Sequence, residues 1–215
     1  ELVEKSLDNP YGSPKLEELC RGKRDIVIIS SDHTRPVPSR VTMPILLRRI
    51  HTAAPEARVR ILVATGMHRP STHEELVNKY GEKIVAEEEI VMHVATDDSM
   101  MEKVGTLPSG GECIINKVAA DADLLLAEGF IEPHFFAGFS GSRKSVLPGV
   151  ASYKTIMYNH NGQFVNDSHS RAGNLCHNHV NEDMFAAAEM AHLAFVLNVV
   201  LNGKHEVIGS FAGDI

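Results

Sequence analysis

The chain has 215 residues, 43% of them hydrophobic, which is enough to bury one full core. A formal charge of −7 and the lack of any Lys/Arg run argue against a general nucleic-acid partner or a membrane-surface patch, and no apolar run has the length of a transmembrane helix. The opening ELVEKSLDNP lacks the apolar stretch of a signal peptide, and the three scattered cysteines, Cys20, Cys113 and Cys176, read as free thiols, so a cytoplasmic setting is expected.

In chain order, a short helix is predicted over Lys15 to Gly22. A β-branched apolar run, Asp25 to Ser30, predicts a buried strand. It leads into SDHTRPVPSR, where Pro36 and Pro38 forbid a helix, and Ser39 is expected to cap a helix over Val41 to Ala53 with Met43, Leu46, Leu47 and Ile50 inward. The pattern repeats with a strand at Val59 to Ala64, the exit loop TGMHRPST, and a helix toward Tyr80 capped by Ser71 or Thr72. Further strands are predicted at Glu89 to Val94, Cys113 to Asn116 and Ala122 to Ala127, with a brief helix between the last two. A helix over Glu182 to His192 precedes strands at Phe195 to Leu201 and Glu206 to Ser210, and the polar stretch from Asn161 to Asn181 reads as irregular.

Strands alternating with helices predict an α/β fold, a largely parallel, Rossmann-like sheet flanked by helices, in which ligands bind outside the carboxyl ends of the strands. Three unusual loops, SDHTRP, TGMHRP and FIEPHFFAGFSGSRKS, follow predicted strands and so should gather on one edge. The third continues to His160 and holds two histidines, a Gly-Ser turn, Arg143, Lys144 and a Pro148-Gly149 stop. A segment so rich in special residues exceeds what joining two elements requires.

These loops support several chemistries. The run from Gly138 to Ser145 nearly matches G-x-x-x-x-G-K-[ST], but Arg143 replaces the second glycine, and about ten residues separate the loop from the strand ending at Ala127. A nucleotide-phosphate-binding transferase and a non-catalytic anion-binding α/β domain both fit glycine amides beside Arg and Lys. His68, His134 and His160 lie in or beside the loops, yet no HExxH or paired-cysteine pattern marks a closed zinc site. Taken singly, each histidine reads first as a solvated loop residue, Arg35 as the partner of a surface carboxylate, and Asp32 as a turn cap. The residues alone reach an anionic small-molecule site with imidazoles and leave the reaction open.

Together, DHTRP, GMHRP, EPHFFAGFSGSRKS, LPG and the later Asn159-His160 resemble the lactate racemase family of nickel-pincer enzymes, in order and over essentially the whole chain. The resemblance implies an N-terminal cofactor-attachment and catalytic domain over residues 1–215, with a C-terminal domain of the family absent from this chain. It also implies reversible hydride transfer that racemises or epimerises lactate or a related 2-hydroxy acid. The implied cofactor is nickel(II)-pyridinium-3,5-bisthiocarboxylate mononucleotide, made by separate cofactor-synthesis enzymes and covalently attached to Lys144. By the same resemblance, His160 is the nickel ligand, and His68 and His134 are the acid/base pair. Asp32, His33, Thr34 and Arg35 are the segment contacting cofactor and substrate, with Arg35 suited to the substrate carboxylate. Ser142 stands where the family commonly has a second glycine, and His179 and Asn181 stand in a segment that departs from the family pattern.

Overall fold

The computed structural model describes every residue from Glu1 to Ile215. The chain opens with two short helices, α1 (Leu2–Asp8) and α2 (Leu16–Cys20), before the first strand, β1 (Asp25–Ser31). Helix α3 (Ser39–Ala53), strand β2 (Arg58–Ala64), helices α4 (His73–Tyr80) and α5 (Glu82–Glu87) and strand β3 (Glu89–Met92) complete the first half of the sheet. A separate antiparallel hairpin, β4 (Met101–Thr106) with β5 (Glu112–Asn116), leads through α6 (Lys117–Ala120) to β6 (Leu124–Phe130). Beyond it lie a two-residue hairpin, β7 (Pro133–His134) with β8 (Gly138–Phe139), a 3-10 turn at Ser142–Ser145, and helices α7 (Tyr153–Asn159) and α8 (Gly162–Val165). The chain closes with α9 (His179–Met190), β9 (Leu193–Leu201) and β10 (Val207–Gly213). No helix is long and apolar enough to cross a membrane.

The main sheet has the order β10-β9-β6-β1-β2-β3. Neighbours run parallel, except that β10 lies antiparallel to β9. Side chains alternate across each strand, so successive residues of β1 feed two different cores. Ile26 and Ile28 pack with Ile61, Val63 and Leu126 under α1, α2 and α3. Val27 and Ile29 pack with Leu62 and Leu125 under α6, α7 and α9, through residues such as Ile156, Val180 and Met184. Burial on both faces is why β1 and β6 read as continuous apolar runs. The connections after β1 run toward one sheet edge and those after β6 toward the other, so the two halves diverge between these strands, where open α/β sheets form a crevice.

Several boundaries differ from the sequence reading. Strand β6 extends to Phe130, so the central loop starts three residues later than the apolar run suggested. The strand at Cys113 to Asn116 lies outside the main sheet, paired with β4, which the sequence reading missed. Ser39 does not cap α3: the helix begins at that residue, and its hydroxyl is committed to Glu128. Thr72 does cap α4, in a reciprocal capping box with Glu75. Asn178 caps α9, which therefore starts three residues earlier than predicted.

The Pro148-Gly149 stop ties two site loops together. Gly66 N–H donates to the Gly149 carbonyl at 2.9 Å, and Gly149 N–H donates to the Lys144 carbonyl at 3.1 Å. A Cβ on Gly149 would sit 2.2 Å from the Ser145 carbonyl oxygen, which is backbone and cannot swing aside. Gly149→Ala is therefore expected to lower unfolding free energy by about 1–3 kcal/mol, the usual cost of overpacking. Chemical denaturation checks this, and an unchanged midpoint would show that the turn has slack.

Candidate active site

A cavity of about 280 Å³ opens at the carboxyl ends of β1, β2 and β6. Each strand delivers its own group: Asp32 and Arg35 after β1, His68 after β2, and Glu128 from the end of β6. Lys144 and His160, from the central loop and the end of α7, line the same space.

His68 is oriented from behind. Its Nδ1 lies 2.7 Å from Oδ2 of Asp32, which is only 1% exposed. The other carboxylate oxygen accepts from Thr34 Oγ1 at 2.7 Å and from Thr34 N–H at 3.1 Å. Asp32 thus caps a turn and fixes an imidazole at once. With Nδ1–H donated to Asp32, the neutral His68 ring carries its lone pair on Nε2, the arrangement of a general base. Arg35 lies exposed on the cavity wall, and its guanidinium has no hydrogen-bond or ion-pair partner in the protein. His33 and Thr34 stand off the cavity: His33 Nδ1 meets Ser71 Oγ at 2.9 Å, and Thr34 is turned onto Asp32.

Lys144 Nζ lies 3.4 Å from His134 Nε2 and 5.7 Å from the centre of the Phe136 ring. Burial, with the cations of Arg143 and Arg35, brings the Lys144 pKa down to about 7. Burial also pushes His134 down to about 4, aided first by Lys144, while its Nδ1 accepts from Ala137 N–H at 3.3 Å. His160 is lowered to about 4 by burial and then by Lys144. Its ring packs edge-on against Phe136, 5.1 Å between centres, and its Nδ1 is buried with no partner.

Arg143 corrects the phosphate-loop reading. Its guanidinium points inward, donating to the carbonyls of Ala137 at 3.0 Å and Phe139 at 3.1 Å, and from Nε to Asn181 Oδ1. The Gly138–Ser145 run is a hairpin strand and a 3-10 turn, not a strand–loop–helix cradle. Ser142 adopts the left-handed φ of 43° that glycine takes at no steric cost, and Asn198 holds it there: Ser142 N–H donates to Asn198 Oδ1 at 3.3 Å, and Asn198 Nδ2 donates to Ser142 Oγ at 2.9 Å. Asn181 thereby gains a role as a partner of Arg143. His179 stays at the surface, 3.3 Å from Glu182.

The sequence reading overlooked Glu128 and Asn198. Each is a polar residue inside an otherwise apolar strand, and that local break in pattern was the available signal.

The residues present fit the group expected at this site. Lys144 offers an amine whose pKa, lowered to about 7, leaves a substantial neutral fraction near neutral pH, as acylation requires. No three His, Cys, Asp or Glu side chains of these 215 residues converge to hold a metal by themselves, so a metal at His160 would need donors beyond this set.

Residues 1–173 match the sequence profile described as the lactate racemase N-terminal domain. The chain belongs to that family. It is 72% identical over its whole length to the lactate racemase of Lactiplantibacillus plantarum, of which it covers 51%. It superposes on the lactate racemase apoprotein of Thermoanaerobacterium thermosaccharolyticum with a TM-score of 0.97 at 52% identity, covering 99% of this chain and 51% of that one. A Thermotoga maritima protein at 24% identity shares the fold, with a TM-score of 0.74, covering 94% of this chain and 55% of that one. The chain thus spans about half the length of the lactate racemases it matches.

A lysine whose folded pKa lies below its unfolded value leaves the unfolded state holding more protons between the two. Stability should therefore rise with pH from about 7 toward the ordinary lysine value of 10.5. Lys144→Met should flatten that slope, as read from urea midpoints across the window in protein without cofactor. An identical slope in both proteins would show that Lys144 titrates like a surface lysine.

Proposed function

We propose that this chain forms the cofactor-bearing half of a racemase or epimerase acting on lactate or a related 2-hydroxy acid. The observation that carries the reading is the convergence in one cavity of Arg35, the His68–Asp32 pair, Lys144 and His160, with His134 against Lys144. The family's racemases support the reaction class. The group expected on Lys144, a nickel ion in a pyridinium-3,5-bisthiocarboxylate mononucleotide, would when bound supply a hydride acceptor for the substrate's C2 hydrogen.

The side chains divide the remaining work. Arg35, unpaired in the protein, holds the substrate carboxylate through its planar fork while either face of C2 is presented. His68 takes the hydroxyl proton at Nε2, and Asp32 stabilises the imidazolium that results. His134 serves the opposite face. Burial is the main cause of its lowered pKa and Lys144 the next, so acylation of Lys144 would relieve only the smaller contribution and leave a neutral imidazole, a proton acceptor. His160, whose buried Nδ1 has no partner in the chain, is the residue that would hold nickel. His33 and Thr34 brace the segment that presents Asp32 and Arg35 to cofactor and substrate.

Loss of a positioned general base costs about 10²–10⁴-fold in rate, and racemisation uses both faces in every turnover. His68→Ala and His134→Ala should each cripple racemisation in both directions in full-length, cofactor-loaded protein. Each variant should still oxidise one enantiomer to the keto acid, with opposite preference in the two. Single-turnover keto-acid formation from each pure enantiomer reads this out, and the same preference in both variants would contradict the assignment.

A further inference from the structure

Glu128 is a carboxylate 1% exposed at the end of an apolar strand, and the chemistry above gives it no task. Its Oε1 accepts from Ser30 Oγ at 2.6 Å and from Ser39 Oγ at 2.5 Å, and its Oε2 accepts from Thr42 Oγ1 at 2.5 Å. Ser30 lies on β1 just before the segment that carries Asp32 and Arg35. Ser39 and Thr42 lie in the first turn of α3, just after it. One carboxylate therefore grips both ends of residues 31–38.

The segment's other ties are side-chain bonds such as Asp32 to His68 and His33 to Ser71, and the buried Val37, rather than a backbone ladder. Pro36 and Pro38 lack N–H donors, and its backbone bonds are few, among them Arg35 N–H to the Asp32 carbonyl at 3.3 Å and Ser39 N–H to the Val37 carbonyl at 2.8 Å. Tyr80 buttresses the grip by donating to Ser30 Oγ at 2.8 Å. Lys79, whose amine donates to Ser31 Oγ at 3.1 Å, faces both Glu128 and Asp32 and supplies a nearby positive charge. An apolar side chain would fill this space without the desolvation cost of an ion, so filling a core does not account for a carboxylate here.

We propose that Glu128 is a positioning residue, a carboxylate clamp that closes the segment 31–38 and thereby sets where Arg35 meets the substrate. The inference rests on the racemase reading for its consequence in turnover, but the clamp itself is a property of the protein without cofactor.

The test uses the full-length protein. In Glu128→Gln, the charge is removed and one oxygen becomes an NH₂ group that cannot accept a hydroxyl proton, so at least one of the three bonds is lost or reversed and none is any longer made to an ion. Losing one bond to a charged acceptor corresponds to roughly tenfold or more in a local opening equilibrium. Amide hydrogen exchange without cofactor should accelerate by about that factor in the 31–38 peptide, while β1 and β6 peptides stay unchanged. Ser39→Ala removes one hydroxyl and leaves the ion, and should give the same regional pattern even if Glu128→Gln folds poorly. In the loaded enzyme, Glu128→Gln should lower lactate kcat/KM roughly tenfold when Arg35 is present and less than about twofold in an Arg35→Ala background, because the clamp acts through that segment. Unchanged exchange at 31–38 in both variants, acceleration spread over the whole sheet, or equal losses in both backgrounds would each overturn the clamp. Should the parent protein show no racemase turnover, the racemase reading fails and the exchange experiment still decides the clamp.

Discussion

The buried guanidinium of Arg143 is the interaction on which the site depends. It satisfies two carbonyls of the β7–β8 hairpin and the amide oxygen of Asn181 on α9, so it ties the hairpin to the helix beneath it. Burial without a carboxylate partner pushes even this guanidinium down to about 10. The arrangement fixes two neighbours at once. His134 lies on the hairpin that Arg143 holds, and Lys144 follows Arg143 in the turn, so the imidazole and the amine meet because both are referred to one anchor.

The cations around Lys144 have a chemical result. Arg35, Arg143 and burial all disfavour the charged form of Lys144, which makes its amine a nucleophile near neutral pH. The carboxylates of the cavity are already committed, Asp32 to His68 and Glu128 to three hydroxyls. A cavity with an unpaired guanidinium on one side and an oriented base on another suits a small hydroxy acid, whose carboxylate and hydroxyl need different partners.

The sheet was legible in the sequence because β1, β2 and β6 are buried on both faces and read as unbroken apolar runs flanked by helices. The loops were legible because motifs such as DHTRP follow those strands directly. What sequence could not give was direction. Arg143 and Lys144 are adjacent, and pattern alone treats them as one cationic patch, yet the turn sends one inward to carbonyls and the other to the cavity. Asp32 and His33 divide in the same way, one onto His68 and the other onto Ser71. Helix α7, which presents His160 at its end, was not recognised, because Tyr153 to Asn159 is short and its signal is chiefly the Ser152 cap. The left-handed turn at Ser142 was visible only as a missing glycine. Its compensation by Asn198 comes from a strand 56 residues further along the chain.

The central claim is that Lys144 is where the cofactor is carried. Its most direct measurement is peptide mass mapping of full-length protein produced together with the cofactor-synthesis enzymes, alongside lactate racemisation by the same sample. A covalent adduct on the peptide containing Lys144, absent from Lys144→Ala together with turnover, is the result predicted here. Active protein in which Lys144 is unmodified would contradict it.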